Sequence, residues 1–179
     1  LVALLVGACL VLLFGLARSR GVRAGFVPFL TIVTLGATIG LSVWQWGANT
    51  PVAEGALAID DLTLFLTILF CAGGIAAVLM ARGSTAAEEA GHGEFHTLLL
   101  ASVLGMVVLA GALNLVTLFL GFELLSIPLY VLCATEMRRA TSLESGLKYL
   151  IVGSLGSATL VYGLALIYGA SGATDYEAI

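Results

Sequence analysis

The chain has 179 residues, of which 60% are hydrophobic and only 10% are charged, and its formal net charge is −4 at pH 7. A soluble domain carries about a quarter of its residues as charged side chains, which cover its surface. With a mean hydropathy of +1.13, this composition excludes a soluble globular protein and predicts an integral membrane protein.

Six apolar segments are long enough to cross the hydrocarbon core of a bilayer, which takes about 20 helical residues. The joint at Asn114 is the least distinct boundary between them. We expect an all-α bundle, because the strands of a membrane β-barrel would alternate polar and apolar residues about every second position. The predicted spans are residues 1–17, 26–46, 62–81, 95–113, 115–134 and 143–169.

The arginines predict how these helices are oriented. All six arginines fall on one side of the six-helix topology, and the loops on the other side (47–61, the Asn114 turn and 170–179) contain neither Lys nor Arg. By the positive-inside rule, the arginine side faces the cytoplasm and both ends of the chain lie outside. The arginines are Arg18, Arg20, Arg23, Arg82, Arg138 and Arg139.

The two ends of the sequence predict a fragment of a longer membrane protein. Leu1 already lies inside an apolar helix without a preceding methionine or charged segment, and Ile179 follows an acidic loop. A signal peptide would be followed by a soluble mature domain, which this sequence does not contain.

The three cysteines, Cys9, Cys71 and Cys133, lie in three different predicted spans without CxxC spacing. They are interpreted as small apolar core residues and not as a metal or redox framework. No Gly-rich phosphate loop or nucleophile elbow is present, so the sequence predicts no cofactor and no metal in this chain.

The segment 83–94 (GSTAAEEAGHGE) is small and polar, and we expect it to be a flexible loop. His92 and His96 have the i, i+4 spacing that could ligate a metal on a helix. Gly91 and Gly93 indicate that the helix has not begun at His92, which argues against that geometry. A histidine that caps the helix start is favoured, and delivery of protons from the cytoplasm is the weaker alternative.

Glu123 lies near the middle of the apolar segment 115–134. A charge at the bilayer centre costs from about 3 kcal/mol on insertion scales to above 10 kcal/mol in simulations, and such residues are usually functional. Glu123 is therefore the leading candidate for a functional residue.

Glu123, Ser126 and Tyr130 follow the i, i+3, i+7 spacing and form one polar face. Pro128 has no N–H to donate to the carbonyl of Leu124, which leaves an acceptor beside the carboxylate. Together these features predict a hydrated, protein-lined site. The alternative is structural: Pro128 only kinks the helix, and Ser126 only holds helices together.

The last span predicts an acid–base pair. Residues 141–144 (TSLE) have capping-box spacing and should begin the helix. Glu144 and Lys148 stand in the favourable acid-first i, i+4 order. Lys148 then lies about 9 Å closer to the membrane surface than Glu123, at 1.5 Å per residue. Lys148 is interpreted either as a relay neighbour of Glu123 or as an ion pair that reaches the cytoplasmic surface.

Several motifs resemble the antiporter-like N subunit of respiratory complex I. They are GFELLSIPLYVL (121–132), LKYLIVGS (147–154), YGLALIYGASG (162–172) and, more weakly, AIDDLTLF (58–65). The resemblance implies part of a fold of about fourteen helices, with residues 1–94 as three helices and a cytoplasmic loop. Residues 95–179 would begin the proton-translocation module.

The resemblance also implies a function. The family couples quinone reduction in NADH:quinone oxidoreductase to proton pumping, and its central acid and a lysine match Glu123 and Lys148. Quinone, flavin and iron–sulfur clusters are expected in other subunits, the partners are other membrane-arm subunits and lipid, and the location is the bacterial inner membrane. The alternatives are a homologous subunit of a cation/proton antiporter or membrane-bound hydrogenase, and a structural scaffold subunit.

Overall fold

The computed structural model describes residues 1–16, 25–47, 50–53 and 55–179. These ranges are mostly helical, as the composition predicts. The helices are α1 (Val2–Gly15), α2 (Val27–Trp44), α3 (Asp61–Met80), α4 (Thr85–Ala90), α5 (His92–Ala110), α6 (Leu115–Cys133) and α7 (Ala140–Ser171), and the strands are β1 (Thr50–Val52) and β2 (Leu57–Ile59).

All six predicted spans form helices, which confirms the all-α membrane fold. Five of them, α2, α3, α5, α6 and α7, are long and apolar enough to cross a membrane. The helix α1 is apolar but has 14 described residues, fewer than the roughly 20 that a full crossing takes.

The helix α5 lies at the centre of the bundle. It packs against α1, α2 and α3 on one side and against α6 on the other, while α7 packs mainly on α6. A single apolar core joins α1, α2, α3 and α5, so residues on both sides of position 94 share it. The fully buried members with the largest side chains include Leu4, Val11, Leu35, Cys71 and Leu100.

Glycines allow several of these helices to approach backbone to backbone. A Cβ atom at Gly93 of α5 would overlap the backbone of Gly15 in α1, and one at Gly105 would overlap the α6 backbone at Leu124 and Leu125. Small residues at such contacts are typical of helix packing in membranes, where close approach replaces the hydrophobic effect as the driving force.

One end of the bundle, called the hairpin end below, joins three segments that are distant in sequence. β1 and β2 form an antiparallel hairpin. The amide of Ala58 in β2 donates to the Gly111 carbonyl at 2.7 Å, and the amide of Leu115 donates to the Thr174 carbonyl at 2.9 Å. The hairpin was not predicted. The three segments that meet at this end are nevertheless the three loops that the arginine pattern placed on one side of the membrane.

The opposite end, called the arginine end below, carries Arg82, Arg138 and Arg139 in the segments that follow α3 and α6. The amide of Arg138 donates to a carboxylate oxygen of Glu89 at 3.2 Å, which ties the two segments together. Arg18, Arg20 and Arg23 lie outside the described residues. The grouping of the other three arginines agrees with the predicted topology.

The expectation of a flexible loop at 83–94 is wrong. Thr85–Ala90 forms the short helix α4, and the Ser84 side chain accepts a hydrogen bond from the Ala87 amide at 3.3 Å as its N-cap. Alanine and glutamate are good helix formers, and serine is a preferred cap residue. The hydroxyl of Thr85 also donates to Glu136, which holds α4 against the segment between α6 and α7.

Candidate proton-transfer site on α6 and α7

Glu123 lies in the middle of α6 with one carboxyl oxygen enclosed by protein. Its Oε1 atom is the only buried side-chain nitrogen or oxygen without a hydrogen-bond partner among the described residues. An unsatisfied buried polar group costs about 1–3 kcal/mol, and more if it is charged. Among the described residues, therefore, nothing offsets the cost of enclosing this carboxyl oxygen.

The helix that carries Glu123 has well-defined ends. The Asn114 side chain accepts a hydrogen bond from the Thr117 amide at 2.7 Å and caps the first turn of α6. The boundary at Asn114 is thus confirmed. The helix continues through Pro128 to Cys133, so the Leu124 carbonyl lies within a regular helix without its usual donor.

The predicted polar face of α6 is directed into the protein. Ser126 and Tyr130 are each only 7% exposed, whereas Leu124 and Ile127 are exposed. The exposed residues lie on a different face of the helix, toward lipid or a neighbouring part of the protein. Ser126 and Tyr130 therefore continue a buried polar strip from Glu123 toward the arginine end.

Two contacts determine how α7 lies along α6. A Cβ atom at Gly146 would overlap Ala134, and the rings of Tyr130 and Tyr149 meet edge to face with centroids 4.9 Å apart. The helices therefore run antiparallel, with Lys148 close to the level of Leu132.

Glu123 lies nine residues before Leu132 in α6, which is a distance of about 14 Å along the helix axis. The axial offset between Glu123 and Lys148 is thus larger than the sequence predicted. At that distance and an effective dielectric of about 20, two opposite charges attract by only about 1 kcal/mol.

The predicted ion pair on α7 is confirmed. Lys148 Nζ lies 2.6 Å from Glu144 Oε1, and the two side chains are 71% and 61% exposed. Because Glu144 balances its charge, Lys148 exerts a weaker field on Glu123 than an isolated lysine would. The structure brings Lys148 together with Glu144 and not with Glu123.

The predicted capping box at the start of α7 is wrong. The helix begins at Ala140, with Arg139 as an N-cap that makes no side-chain cap bond. Glu144 pairs forward with Lys148, so it does not reach back to the helix start. The Ser142 hydroxyl instead donates to the Cys133 carbonyl at 3.0 Å, which ties α7 to the end of α6.

The expected geometry of the histidines is also wrong. α5 begins at His92, and His96 Nδ1 lies 2.7 Å from the His92 carbonyl oxygen, so the two residues do have helical spacing. Gly91 is the N-cap, with φ of 86°, and no histidine caps the helix. Gly93 is helical because it packs against Gly15, a close approach that only the fold reveals.

The cysteines follow the prediction in part. All three are free, Cys71 is buried in the core, and Cys9 and Cys133 are exposed on the outside of the described bundle. Only Cys71 therefore acts as a core residue.

Sequence reasoning missed the residues that build the α6–α7 contact. Tyr149 received no role, and neither did Gly153, against which the Tyr130 side chain packs. Among the glycines of α7, Gly146 and Gly153 contact α6, whereas an added Cβ atom at Gly156 or Gly163 would meet nothing within 4 Å. The signal was the seven-residue spacing of Gly146 and Gly153, which puts both on one face.

Comparison with known proteins identifies the family. A family profile described as NADH:quinone oxidoreductase/Mrp antiporter, TM, matches residues 112–179, which contain both α6 and α7. The chain is 39% identical over 163 residues to NADH-quinone oxidoreductase subunit N of Desulfitobacterium hafniense, a match that covers 90% of this chain and 33% of the relative. The chain belongs to the antiporter-like subunit N family of NADH-quinone oxidoreductase.

The chain also resembles two solved structures, of which one supports its relation to complex I and the other shows the fold alone. A chain in respiratory complex I from Thermus thermophilus with bound aureothin is 31% identical, with a TM-score of 0.82 over 97% of this chain and 37% of that chain. A chain of an archaeal membrane-bound sulfane sulfur reductase has a TM-score of 0.75 at 20% identity, which shows a shared fold alone. The present chain spans about a third of the length of the relatives it matches.

Proposed function

We propose that this chain is part of a proton-translocating membrane subunit of an NADH-quinone oxidoreductase, and that Glu123 takes up and releases the translocated proton. The observation that carries the proposal is the enclosed, unpartnered Oε1 atom of Glu123 in the middle of α6. A buried carboxyl in a membrane helix is expensive, and such residues mark ion and proton pathways.

The surroundings of Glu123 suit proton transfer better than a purely structural role. A carboxylate that only held these helices together would be paired with a group in one of them, since buried charges without partners are strongly destabilising, and Oε1 has no partner among the described residues. The unpaired carbonyl of Leu124 and the hydroxyls of Ser126 and Tyr130 lie on the same helix, where they can bind water. Water held by these groups would connect Glu123 to the arginine end.

Lys148 acts in this proposal as a relay neighbour on the arginine side of Glu123. Its pairing with Glu144 and its offset of about 14 Å make it a weak direct counter-charge. Neither ion pair between described residues involves Glu123, so a stronger counter-charge would come from another part of the subunit or complex.

The driving force would come from redox chemistry in other subunits. Quinone reduction changes the charge next to the membrane arm, and a change in the charge near Glu123 shifts its affinity for a proton. Moving one charge against 100 mV takes about 2.3 kcal/mol. One strong ionic contact made or lost at Glu123 supplies energy of that order.

The same proposal specifies orientation and partners. The arginine end faces the cytoplasm by the positive-inside rule, so the hairpin end faces the other side of the inner membrane. Other membrane-arm subunits cover the exposed faces together with lipid. Flavin, iron–sulfur clusters and quinone belong to those other subunits.

Glu123→Gln in the complete complex tests the proposal. We expect assembly and NADH oxidation to persist while fewer protons are moved per NADH in sealed vesicles. Glu177→Gln, the same substitution at an exposed position of the hairpin end, is the control and should leave pumping unchanged. Normal pumping by a normally assembled Glu123→Gln complex would exclude the proposed role.

The matching family profile covers both NADH:quinone oxidoreductases and Mrp antiporters, so the antiporter alternative has its own test. If the protein belongs to an antiporter, an imposed sodium gradient should drive proton movement in vesicles that lack NADH. A scaffold subunit would give a third result, in which Glu123→Gln affects the amount of assembled complex and leaves transport intact.

A further inference from the structure

The arginine end contains a cavity that the proposed proton site does not use. Its volume is about 340 Å³, and Arg82, His92 and His96 contribute its polar side chains. The remaining lining residues are Gly25, Pro28, Ala81, Gly83 and Ala87. The cavity thus lies between the start of α2, the end of α3, and the helices α4 and α5.

The lining of the cavity is suited to an anion. It contains an arginine and two histidines, and no described lining residue is an aspartate or a glutamate. The ion pairs between described residues involve Arg139 and Lys148. Arg82 therefore forms no ion pair with a carboxylate of the described residues. A fixed positive charge without acidic ligands disfavours a metal ion and favours an oxyanion, which the planar guanidinium binds through two parallel hydrogen bonds.

His96 gives the cavity a rigid wall. Its side chain is only 2% exposed, and Nδ1 faces the His92 carbonyl oxygen at 2.7 Å, which assigns the Nδ1 proton to that hydrogen bond. The ring orientation is thereby fixed, and Nε2 of the neutral ring can only accept a hydrogen bond, for example from a water molecule in the cavity. His92, one turn earlier on the same helix, adds a second imidazole at the cavity.

The position of the cavity matches the level of lipid headgroups. It lies where α3 ends, at Met80, and where α5 begins, at His92, and these are the ends of two membrane-length helices. Basic pockets between membrane helices on this side are typical sites for anionic headgroups. The volume equals that of about eleven water molecules at about 30 Å³ each, so a phosphate group fits with part of its hydration shell.

We propose that this cavity binds a phosphate group through Arg82 and His92, with the fixed ring of His96 as a wall beside it. The group is carried either by an anionic phospholipid or by free inorganic phosphate. Bound there, it would join α3, α4 and α5 at the membrane surface through charge-assisted hydrogen bonds.

The proposal is tested on the full-length protein, isolated from its membrane with the subunits that it retains and then stripped of lipid. One arm measures phosphatidylglycerol bound per protein by native mass spectrometry, and the other measures inorganic phosphate by equilibrium dialysis. Arg82→Gln should weaken binding about tenfold for whichever of the two, phosphatidylglycerol or inorganic phosphate, is the natural ligand. Arg138→Gln, at the same end but outside the cavity, should leave binding unchanged.

A second variant covers the case in which Arg82→Gln does not fold. His92→Gln changes a half-buried residue at the start of α5 and should weaken the same binding several-fold. A loss confined to phosphatidylglycerol identifies lipid as the source, and a loss confined to inorganic phosphate identifies the free anion. Equal binding by the Arg82, His92 and Arg138 variants in both arms would overturn the proposal.

Discussion

The rings of Tyr130 on α6 and Tyr149 on α7 meet edge to face, with centroids 4.9 Å apart and planes at 88°. This contact brings the residue next to Lys148 against the polar strip that starts at Glu123. It also fixes the register that separates the two charged residues along the helix axis. The α6–α7 contact is therefore where packing and the proposed chemistry meet.

Gly153 should be essential to this contact and Gly156 should not. An added methyl group at 153 would fall on the Tyr130 ring, whereas one at 156 would meet nothing within 4 Å. Gly153→Ala is expected to destabilise the protein by about 1–3 kcal/mol, as overpacking does. Gly156→Ala, the matched control, should not destabilise the protein and should stabilise it by up to about 1 kcal/mol, because alanine has the higher helix propensity. Thermal unfolding of the full-length protein measures both, and equal effects would contradict the assigned register.

The Glu144–Lys148 pair should matter as a unit. Lys148→Gln leaves Glu144 unpaired in a membrane helix, and the double variant with Glu144→Gln removes both charges. We expect the double variant to be better assembled than Lys148→Gln alone, with a coupling of about 0.3–1 kcal/mol because the pair is exposed in this chain. The amount of assembled complex in the membrane is the readout. Additive losses would show that the pair does not form in the complete protein.

Pro128 should be needed for function more than for stability. Pro128→Ala restores an N–H group opposite the Leu124 carbonyl, so one helical hydrogen bond worth about 1 kcal/mol is gained. We expect a higher unfolding temperature together with less proton pumping per NADH, because the water-binding carbonyl beside Glu123 is removed. Pro28→Ala is the control, since Pro28 lies in the first turn of α2 where no helical donor is lost. A Pro128→Ala complex with full pumping would contradict the role of this carbonyl.

Asp60 should stabilise the hairpin end in a pH-dependent way. Its carboxylate accepts the Thr63 amide at 2.8 Å as the N-cap of α3, and hydrogen bonding by Thr63 holds the pKa of Asp60 below its ordinary value. The stabilisation is therefore complete above the unfolded pKa of about 3.9 and is lost as the pH falls through the lower folded pKa.

Asp60→Ala should cost about 1 kcal/mol at pH 7, measured by thermal unfolding. The difference from the native protein should start to shrink as the pH falls below the unfolded pKa of about 3.9, and the part due to ionisation should be lost once the pH is below the folded pKa. Asp60→Asn retains a cap acceptor and should lose less than Asp60→Ala at pH 7. A difference between native protein and Asp60→Ala that stays constant down to low pH would contradict the ionised cap.

The membrane fold was predictable because long apolar segments leave few alternatives to helices. Helical spacing, which is a local property, placed Glu123, Ser126 and Tyr130 on one face, of which Ser126 and Tyr130 are buried and Glu123 is half-buried. The Glu144–Lys148 pair was predictable for the same reason. The start of α6 at Leu115 matches the predicted span, and the structure makes this least distinct boundary definite through the Asn114 cap.

The errors arose where tertiary contacts override local signals. Gly93 suggested a break before α5, but it is helical because Gly15 of α1 packs against it. The segment that contains α4 is polar, and its order comes from contacts with Glu136 and Arg138, about fifty residues later. The β1–β2 hairpin likewise depends on a hydrogen bond to the Gly111 carbonyl, which cannot be predicted from the local sequence of residues 50–59.

The most direct test of the account is whether Glu123 changes its protonation during turnover. Infrared difference spectra of the complete complex, recorded before and after NADH addition, report carboxyl groups that gain or lose a proton. We predict a carboxyl signal that is absent in Glu123→Gln and retained in Glu177→Gln. A difference spectrum that Glu123→Gln leaves unchanged would contradict it.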